Sequence, residues 1–178
     1  MRIVKKILSQ IPLYVVFILF SSIVVGWLFG FATDTSKEKK IVLFADVQSM
    51  DETALSVKLE EHKPDGIRMI RAHVFGYAVF DSTLLENADV YIVTASEAEK
   101  YRESFLKITD AALAARFYRG YDGMKVYDAE TGEGILKDYV TYANEDHYLF
   151  FGAKSVHTGG EGSVDSHAFD VVDELIKI

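Results

Sequence analysis

Residues 41–59, IVLFADVQSMDETALSVKL, decide the fold class of this chain. The run Ile41–Ala45 is continuously apolar, which is typical of a β-strand that is covered on both faces. Ser49 and Glu52 then stand three residues apart, the spacing of a helix-capping box. Leu55 and Leu59 follow on one face of the predicted helix. A buried strand that leads into an amphipathic helix predicts an α/β fold.

The same alternation continues along the chain. A turn at Lys63–Gly66 separates the helix from two further strands, which we expect at Ile67–Phe75 and Val90–Val93. A second capping box, Thr94–Glu97, opens the next helix. Strands that alternate with helices favour a layered α/β domain with a mostly parallel sheet, which we place at residues 41–178.

The C-terminal part of this domain has a less regular pattern. The expected elements, in chain order, are a helix at Thr109–Tyr118, a hairpin of Met124–Tyr127 with Tyr139–Tyr142, a buried strand at Tyr148–Phe151, a glycine-rich loop at Thr158–Ser163 and a closing helix at Ala168–Ile176. Together with the first half they give roughly 140 residues, the size of one domain.

The N-terminal part of the chain carries a long uncharged stretch, Ile11–Phe31. About twenty apolar residues suffice to cross a bilayer as a helix. We therefore predict cytoplasmic residues 1–10, a transmembrane helix at 11–31, a charged tether at 32–40 and the α/β domain beyond it. The alternative is a signal peptide, because Gly30-Phe31-Ala32 suits cleavage near Ala32 and would release a secreted domain.

The orientation of the predicted helix follows from its flanks. Lys and Arg are equally numerous on both sides, but the N-terminus is short and purely basic and a large domain follows the helix. This arrangement favours a cytoplasmic N-terminus and an extracellular domain. Ser22, Gly26 and Gly30 recur every four residues, which would let two such helices pack closely as a homodimer. The competing interpretation is that Gly and Ser are simply common in membrane helices.

The composition excludes several classes of protein. The chain has a formal net charge of −8, and its first 32 residues contain three basic groups and no acidic one, so the remainder carries −11. An acidic domain repels phosphate backbones, so we expect no nucleic-acid partner. The chain has no cysteine, which excludes disulfides, thiol catalysis and cysteine-based metal centres.

The sequence contains no recognisable catalytic motif, and we predict neither enzyme activity nor a cofactor. Ser155 and His157 are the residue types of a nucleophile and base, but they are two residues apart and would share one face of a strand. His147, His157 and His167 lie ten residues apart beside acidic residues, a spacing that fits no short metal-ligand motif. We therefore predict no metal site.

Tyrosine is concentrated in one part of the chain. Seven of the ten tyrosines lie between positions 101 and 148. Tyrosine combines an apolar ring with a hydroxyl group, which suits sugars, peptides and protein interfaces. The segment Tyr118-Arg119-Gly120-Tyr121-Asp122-Gly123 predicts an exposed cluster, and we name Tyr118, Tyr121 and Tyr127 as candidates for a ligand or partner surface. Strand propensity alone is the competing explanation.

Several segments, taken in order, resemble the extracellular solute-binding proteins of bacterial ABC importers, which have the type II periplasmic-binding-protein fold. The strand Ile41–Asp46 and the later strand Ala88–Val93, each with its helix, match the opening of one lobe. Gly123–Asp128 resembles the segment that leads into the crossover to the second lobe. Tyr148–Phe151 resembles the return segment, and the C-terminal helix resembles the closing helix.

The resemblance implies a shortened, single-lobe relative. Members of that family trap solute between two lobes, and Gram-positive members are usually tethered through a lipidated cysteine. This chain has room for about one lobe and would be anchored by its helix instead. We therefore expect a non-catalytic, membrane-anchored binding module that contacts a membrane or transporter protein. The alternatives are a small-solute or sugar receptor that uses the tyrosine-rich surface and, third, a cell-wall or carbohydrate hydrolase.

Overall fold

The computed structural model describes residues 14–26, 35–75 and 86–178, and the chain divides into two compact units, Met1–Thr35 and Ser36–Ile178. In the first unit, residues 14–26 are helical and expose large apolar side chains such as Phe17 and Phe20. Within the described ranges, no helix combines the length and the apolar character needed to cross a membrane.

Several N-terminal predictions fall outside the described residues. These are the cytoplasmic segment 1–10, both ends of the predicted transmembrane helix 11–31, the start of the tether 32–40 and the cleavage point near Ala32. Of the small-residue stripe, Ser22 and Gly26 lie in the described helix and Gly30 lies outside it. A Cβ atom added at Gly26 would meet no atom within 4 Å.

The second unit is an α/β domain built on one six-stranded sheet. Its strands are β1 (Lys40–Ala45), β2 (Ser49–Met50), β3 (Met69–Val74), β4 (Val90–Thr94), β5 (Met124–Asp128), β6 (Glu133–Gly134), β7 (Val140–Thr141) and β8 (His147–Phe151). The large sheet has the order β3-β1-β4-β8-β5-β6, and β2 pairs with β7 in a separate ladder.

The α-helices that lie entirely within the described residues of this domain are α1 (Glu52–Glu60), α2 (Ala95–Lys100), α3 (Ala111–Arg116) and α4 (His167–Leu175). Short 3-10 turns precede β1 at Lys37–Lys39 and follow α2 at Arg102–Ser104. Helix α1 packs beside β3 and touches α4, whereas α2 packs against β4 and β8. The predicted alternation of strand and helix is therefore confirmed for the first half of the domain.

The sheet is mixed rather than mostly parallel. β3, β1 and β4 run parallel, as the sequence predicts, but β8 is antiparallel to both of its neighbours, β4 and β5. The apolar run of β8 does not record its direction, because a strand that is buried on both faces looks the same in either orientation. The direction is decided instead by tertiary pairing, in which β8 lies antiparallel between β4 and β5.

The predicted hairpin assigns the wrong partner strand to β5. β5 pairs with β6, not with the segment Tyr139–Tyr142, and β7 within that segment pairs with β2. Asp128 explains the difference, because its side chain accepts hydrogen bonds from the backbone N–H groups of Glu130 and Thr131 at 2.9 and 3.1 Å. This local turn reverses the chain immediately after β5.

The first predicted capping box is also replaced by another arrangement. Asp51, not Ser49, caps α1 by accepting a hydrogen bond from the N–H of Ala54 at 2.9 Å. Ser49 is extended in β2 because its neighbours Gln48 and Asp51 donate backbone hydrogen bonds to the 139–141 segment. For the second predicted box the N-cap is confirmed, since Thr94 caps α2 by accepting from the N–H of Glu97.

The core lies around the three central strands. β1 and β4 are buried along their lengths, and the rings of Phe44 and Phe151 are no more than 2% exposed. Phe117, Phe151 and Phe169 form an aromatic cluster with ring centroids 4.6–5.3 Å apart. This cluster joins the end of α3 and the helix α4 to β8, so the C-terminal elements are held by packing rather than by strand pairing.

Candidate functional site

The three predicted tyrosines lie in different environments. Tyr118 is 3% exposed, and its hydroxyl donates to the carbonyl of Leu106 at 2.9 Å and accepts from the N–H of Phe151 at 3.1 Å. Burial raises the pKa of that hydroxyl above its ordinary value. Tyr127 stacks on Tyr142 with ring centroids 4.4 Å apart. Tyr121 lines a cleft that neither Tyr118 nor Tyr127 reaches.

The cleft has a volume of about 310 Å³ and combines aromatic, small and charged side chains. Its aromatic lining comes from Tyr121, Tyr148 and Phe150, its small residues are Ala95 and Ala98 of α2, and its charged residues are Glu99, Arg102 and Asp122. The structure thus brings Tyr121 together with Tyr148 and Arg102, which the sequence did not single out as site residues. No local pattern joins these positions, because they come from a loop, a strand and a 3-10 turn.

Two glycines shape the loop that carries Tyr121. Gly120 has a φ of 64° and exchanges two backbone hydrogen bonds with Ile108, at 3.0 and 2.8 Å. Gly123 has a φ of 70°, and a Cβ atom there would lie 2.5 Å from the ring of Phe150. Glycine adopts positive φ without steric cost and allows this close approach. The loop is therefore fixed on both sides of Tyr121, against the cleft.

Helix α2 supplies the opposite side of the cleft, and polar contacts hold its first turn. Thr94 caps the helix, and its hydroxyl also lies 3.1 Å from the hydroxyl of Ser96. The carboxylate of Glu145 accepts from the N–H and from the hydroxyl of Ser96, at 2.9 and 3.3 Å. These contacts tie α2 to the chain just before β8, the strand that carries Tyr148.

Two cationic side chains lie beside the ring of Tyr121. The guanidinium carbon of Arg102 lies 5.2 Å from the ring centroid, and the ammonium of Lys107 lies 5.8 Å from it. Arg102 also forms a 3.7 Å ion pair with Glu99, whose side chain is 80% exposed. Ion pairs of this exposure contribute little to stability. Arg102 can therefore exchange Glu99 for an acidic group of a binding partner at small cost.

The carboxyl ends of β1 and β4 form a second polar region. The chain leaves β1 toward β3 on one side, and β4 lies on the other side, so this is the switch point where α/β sheets commonly bind ligands. Here the chain itself covers the region. The fully buried ring of His147 places Nε2 2.9 Å from the carbonyl oxygen of Asp46 and Nδ1 2.7 Å from that of Glu145.

The carboxyl group of Asp46 is perturbed in the same region. Burial and the charge of Glu97 raise its pKa above the ordinary value, and His147 and Thr94 partly oppose that rise. The rings of Tyr127 and Tyr142 contact His147 from the other side, with centroids 5.7 and 4.9 Å away. The region is therefore filled by the chain's own side chains, and we place the candidate binding surface at the Tyr121 cleft instead.

Ser155 and His157 do not form a nucleophile–base pair. The hydroxyl of Ser155 donates to the carboxylate of Asp89 at 2.5 Å, and the imidazole of His157 faces Asp165 and the carbonyl of Lys37. Of the three evenly spaced histidines, His157 and His167 both lie beside Asp165, whereas His147 lies at the carboxyl end of β1. Within the described ranges, no group of three or more histidine, aspartate or glutamate side chains is arranged to hold a metal ion.

Comparisons of the chain with protein families, with curated proteins and with solved structures found no match.

Proposed function

We propose that this protein is a non-catalytic binding module, anchored at the cell membrane by its N-terminal segment, with residues 41–178 outside the cell. Its partner is a protein in the same membrane, such as a transporter component. The observation that carries this proposal is the cleft in which Tyr121 and Tyr148 lie with Arg102.

The composition of the cleft supports a protein partner. Tyrosine and arginine are enriched among the residues that dominate protein–protein binding energies. Tyr121 and Tyr148 are half-buried, so each is packed on one side and accessible on the other. Arg102 adds a planar donor group beside the ring of Tyr121, which suits an acidic or backbone acceptor on the partner. The cleft thus offers an apolar surface with a charged group that can orient a bound segment.

The connection between β5 and β8 supports the single-lobe interpretation. By the resemblance, Gly123–Asp128 leads into the crossover to a second lobe and Tyr148–Phe151 returns from it. In this chain the two strands are hydrogen-bonded neighbours, joined only by residues 129–146. That segment folds back on the same domain through β6 and β7. A module with one lobe would bind a partner on an open surface rather than enclose a solute.

The helix at residues 14–26 supports the proposed anchor. Its apolar side chains from Tyr14 to Val25 are largely exposed, including rings that are about two-thirds exposed such as Phe17 and Phe20. An apolar helical surface of this kind requires a covering, which a bilayer would supply. The alternative for the same segment is a signal peptide cleaved near Ala32.

The experiment that tests the protein-partner proposal is site-specific photo-crosslinking in native membranes. A photo-reactive amino acid replaces Tyr121 in the full-length chain, and a matched chain carries it at Arg68, an exposed position just before β3 at the other edge of the sheet. We expect one discrete adduct from position 121 and none from position 68. Arg102→Ala in the same chain should weaken that adduct. Equal adducts from both positions would contradict the proposal.

A small-solute or sugar receptor is the second candidate, because about 310 Å³ is enough for a small ligand and tyrosine rings suit sugar rings. This candidate predicts that one class of solute raises the melting temperature of the full-length protein. Tyr148→Ala should abolish that rise, while the exposed Arg68→Ala should leave it unchanged. A melting temperature that no sugar, amino acid or peptide raises would exclude this candidate from the screened classes.

A further inference from the structure

His157 occupies a position with two hydrogen-bond acceptors. Its side chain is fully buried, Nδ1 lies 2.7 Å from Oδ1 of Asp165, and Nε2 lies 2.9 Å from the carbonyl oxygen of Lys37. A carbonyl and an ionised carboxylate only accept hydrogen bonds, and a neutral imidazole has only one N–H to donate. Both contacts are therefore satisfied together only by the protonated ring.

The two acceptors are held in place from different parts of the chain. Oδ1 of Asp165 also accepts from the N–H of His167 at 3.0 Å, and its carbonyl accepts from the N–H of Gly159 at 2.8 Å. Lys37 belongs to the 3-10 turn directly before β1, where the N–H of Lys39 donates to the carbonyl of Ser36 at 3.0 Å. The imidazole therefore joins the first residues of the domain to the loop before α4.

The acidic groups that face His157 favour its charged form, and His167 lies on the far side of one of them. From the chain before β4 comes Asp89, from the loop before α4 comes Asp165, and from α4 comes His167, whose Nε2 lies 3.9 Å from Oδ2 of Asp165. The 3-10 turn contributes the carbonyl of Lys37. Burial lowers the pKa of His157, but the hydrogen bonds to Asp165 and Lys37 and the charges of Asp89 and Asp165 outweigh burial and raise it above 6.5.

We propose that His157 is a pH-sensitive clasp that fastens residues 36–39, where the domain begins, to the loop carrying Asp165. Protonated, the ring donates to both acceptors. When the pH rises and the ring loses one proton, the remaining N–H stays with the carboxylate, and the nitrogen lone pair then opposes the carbonyl of Lys37. The contact with Lys37 opens, and residues 36–39 become more mobile at high pH than at low pH.

The pH range follows from the direction of the shift. A histidine whose pKa is raised in the folded protein contributes stability that is fully present below its unfolded value of about 6.5. That contribution is lost as the pH rises through the folded pKa. The clasp is therefore closed below pH 6.5 and opens as the pH rises through the raised pKa of His157. The inference depends on the geometry of His157 and not on the proposed partner of the Tyr121 cleft.

The test measures the ring and the clasped segment together in the full-length protein in detergent. Nitrogen-15 labelled histidine distinguishes the singly and doubly protonated rings by NMR, and limited trypsin digestion reports access to Lys37 and Lys39. We expect both nitrogens of His157 to be protonated at pH 6, and cleavage to accelerate roughly tenfold as the ring titrates, because a charged hydrogen bond is worth about one order of magnitude. Trypsin rates are normalised to a peptide of residues 33–42.

Two variants make the outcome decisive. Asp165→Asn removes the charge beside Nδ1 and should lower the pH at which both the ring and the cleavage rate change. His62→Gln alters an exposed histidine and should leave both unchanged. A singly protonated His157 at pH 6 would overturn the proposal, as would a trypsin cleavage rate that does not change when the imidazole titrates. So would an Asp165→Asn protein in which His157 titrates at the wild-type pH.

Discussion

The carboxylate of Asp89 joins three segments of the domain at the scale of one residue. It is 3% exposed and accepts from the N–H of Val42 in β1 at 2.8 Å and from the hydroxyl of Ser155 at 2.5 Å. Its backbone carbonyl accepts from the N–H of Gly152 at 2.9 Å. Burial raises the pKa of this carboxyl group, whereas the hydrogen bonds from Ser155 and Val42 and the charge of His157 lower it. The position therefore depends on having two acceptor oxygens.

Replacing Asp89→Asn should lower the free energy of unfolding by about 1–3 kcal/mol, because the amide turns an NH₂ group toward one of two buried donors. Urea denaturation measures this loss. The matched control is Asp51→Asn, since Asp51 is exposed and accepts one N–H as a helix cap, a role that asparagine fills equally well. Equal losses in the two variants would contradict the importance of the second oxygen.

The glycines beside Tyr121 allow a second matched comparison. Gly120→Ala should cost about 1 kcal/mol, because only the positive φ is strained and no atom lies within 4 Å of the new Cβ. Gly123→Ala should cost clearly more, since its Cβ would also displace the ring of Phe150. Chemical denaturation of both variants measures the difference. If Gly123→Ala were no worse than Gly120→Ala, the close contact with Phe150 would not be essential.

The pKa of Asp128 provides a pH-dependent prediction. The ammonium of Lys125 lies 2.6 Å from its Oδ2, and this contact, with the N–H groups of Thr131 and Glu130, lowers the pKa from 3.8 to about 2. The stabilising contact is therefore present above pH 3.8 and is lost as the pH falls through about 2.

We expect Lys125→Met to move the pKa of Asp128 back toward 3.8, as measured by carboxyl carbon-13 NMR titration. Lys177→Met is the control, because Lys177 instead lowers the pKa of Glu174. That variant should raise the pKa of Glu174 and leave Asp128 unchanged. A pKa of Asp128 that stays near 2 in Lys125→Met would show that the backbone N–H groups alone are responsible.

At the scale of an element, helix α1 covers the edge of the sheet. Alternate N–H groups of the edge strand β3 donate to side chains that are spaced four residues apart on α1. The pairs are Val74 to Glu52 at 2.9 Å, Ala72 to Ser56 at 3.0 Å and Ile70 to Glu60 at 3.4 Å. An edge strand with unpaired N–H groups can recruit another strand. Side chains that repeat every four residues along α1 accept the hydrogen bonds of these N–H groups and so protect the edge.

Ser56→Ala should lower the free energy of unfolding by about 1–3 kcal/mol, because the buried N–H of Ala72 loses its acceptor. Alanine favours the helix more than serine does, so the loss arises from the strand and not from α1 itself. Thr53→Ala on the exposed face of α1 is the control and should be neutral or stabilising. Amide exchange at Ala72 should also accelerate in Ser56→Ala; unchanged protection there would contradict the role of Ser56.

For the whole molecule, the absence of cysteine makes the proposed membrane topology directly measurable. Two separate variants each carry a single thiol. Ser9→Cys places it in the predicted cytoplasmic segment, and Lys177→Cys places it on the exposed surface after α4. A membrane-impermeant maleimide applied to intact cells should label only Lys177→Cys, and permeabilised cells should show both.

Each other result of this labelling experiment has a distinct meaning. Labelling of Ser9→Cys alone in intact cells would reverse the predicted orientation. Loss of Ser9→Cys from the mature chain, with Lys177→Cys in the medium, would establish cleavage near Ala32. Either outcome would contradict the proposed anchor with its extracellular domain.

How much of the fold and of the candidate site follows from the sequence depends on the range of the interactions. β1, β4, β8 and α4 are predictable because each buries a local apolar pattern, and Thr94 caps α2 as its spacing predicts. Of the predicted surface tyrosines, Tyr121 lines a cleft, whereas Tyr118 is directed inward by contacts with Leu106 and Phe151. The companions Arg102 and Tyr148 have no signal in any single segment.

The sequence by itself determined the α/β class, the positions of the main strands and helices and the acidic charge, because periodicity and composition act over a few residues. Only the tertiary structure decided the direction of β8, the pairing of β7 with β2 and the contact between His157 and Lys37. Those contacts join residues that are about 50 to 120 positions apart. The energies of these contacts depend on which surfaces pack together in the folded chain, and no local sequence pattern specifies that packing.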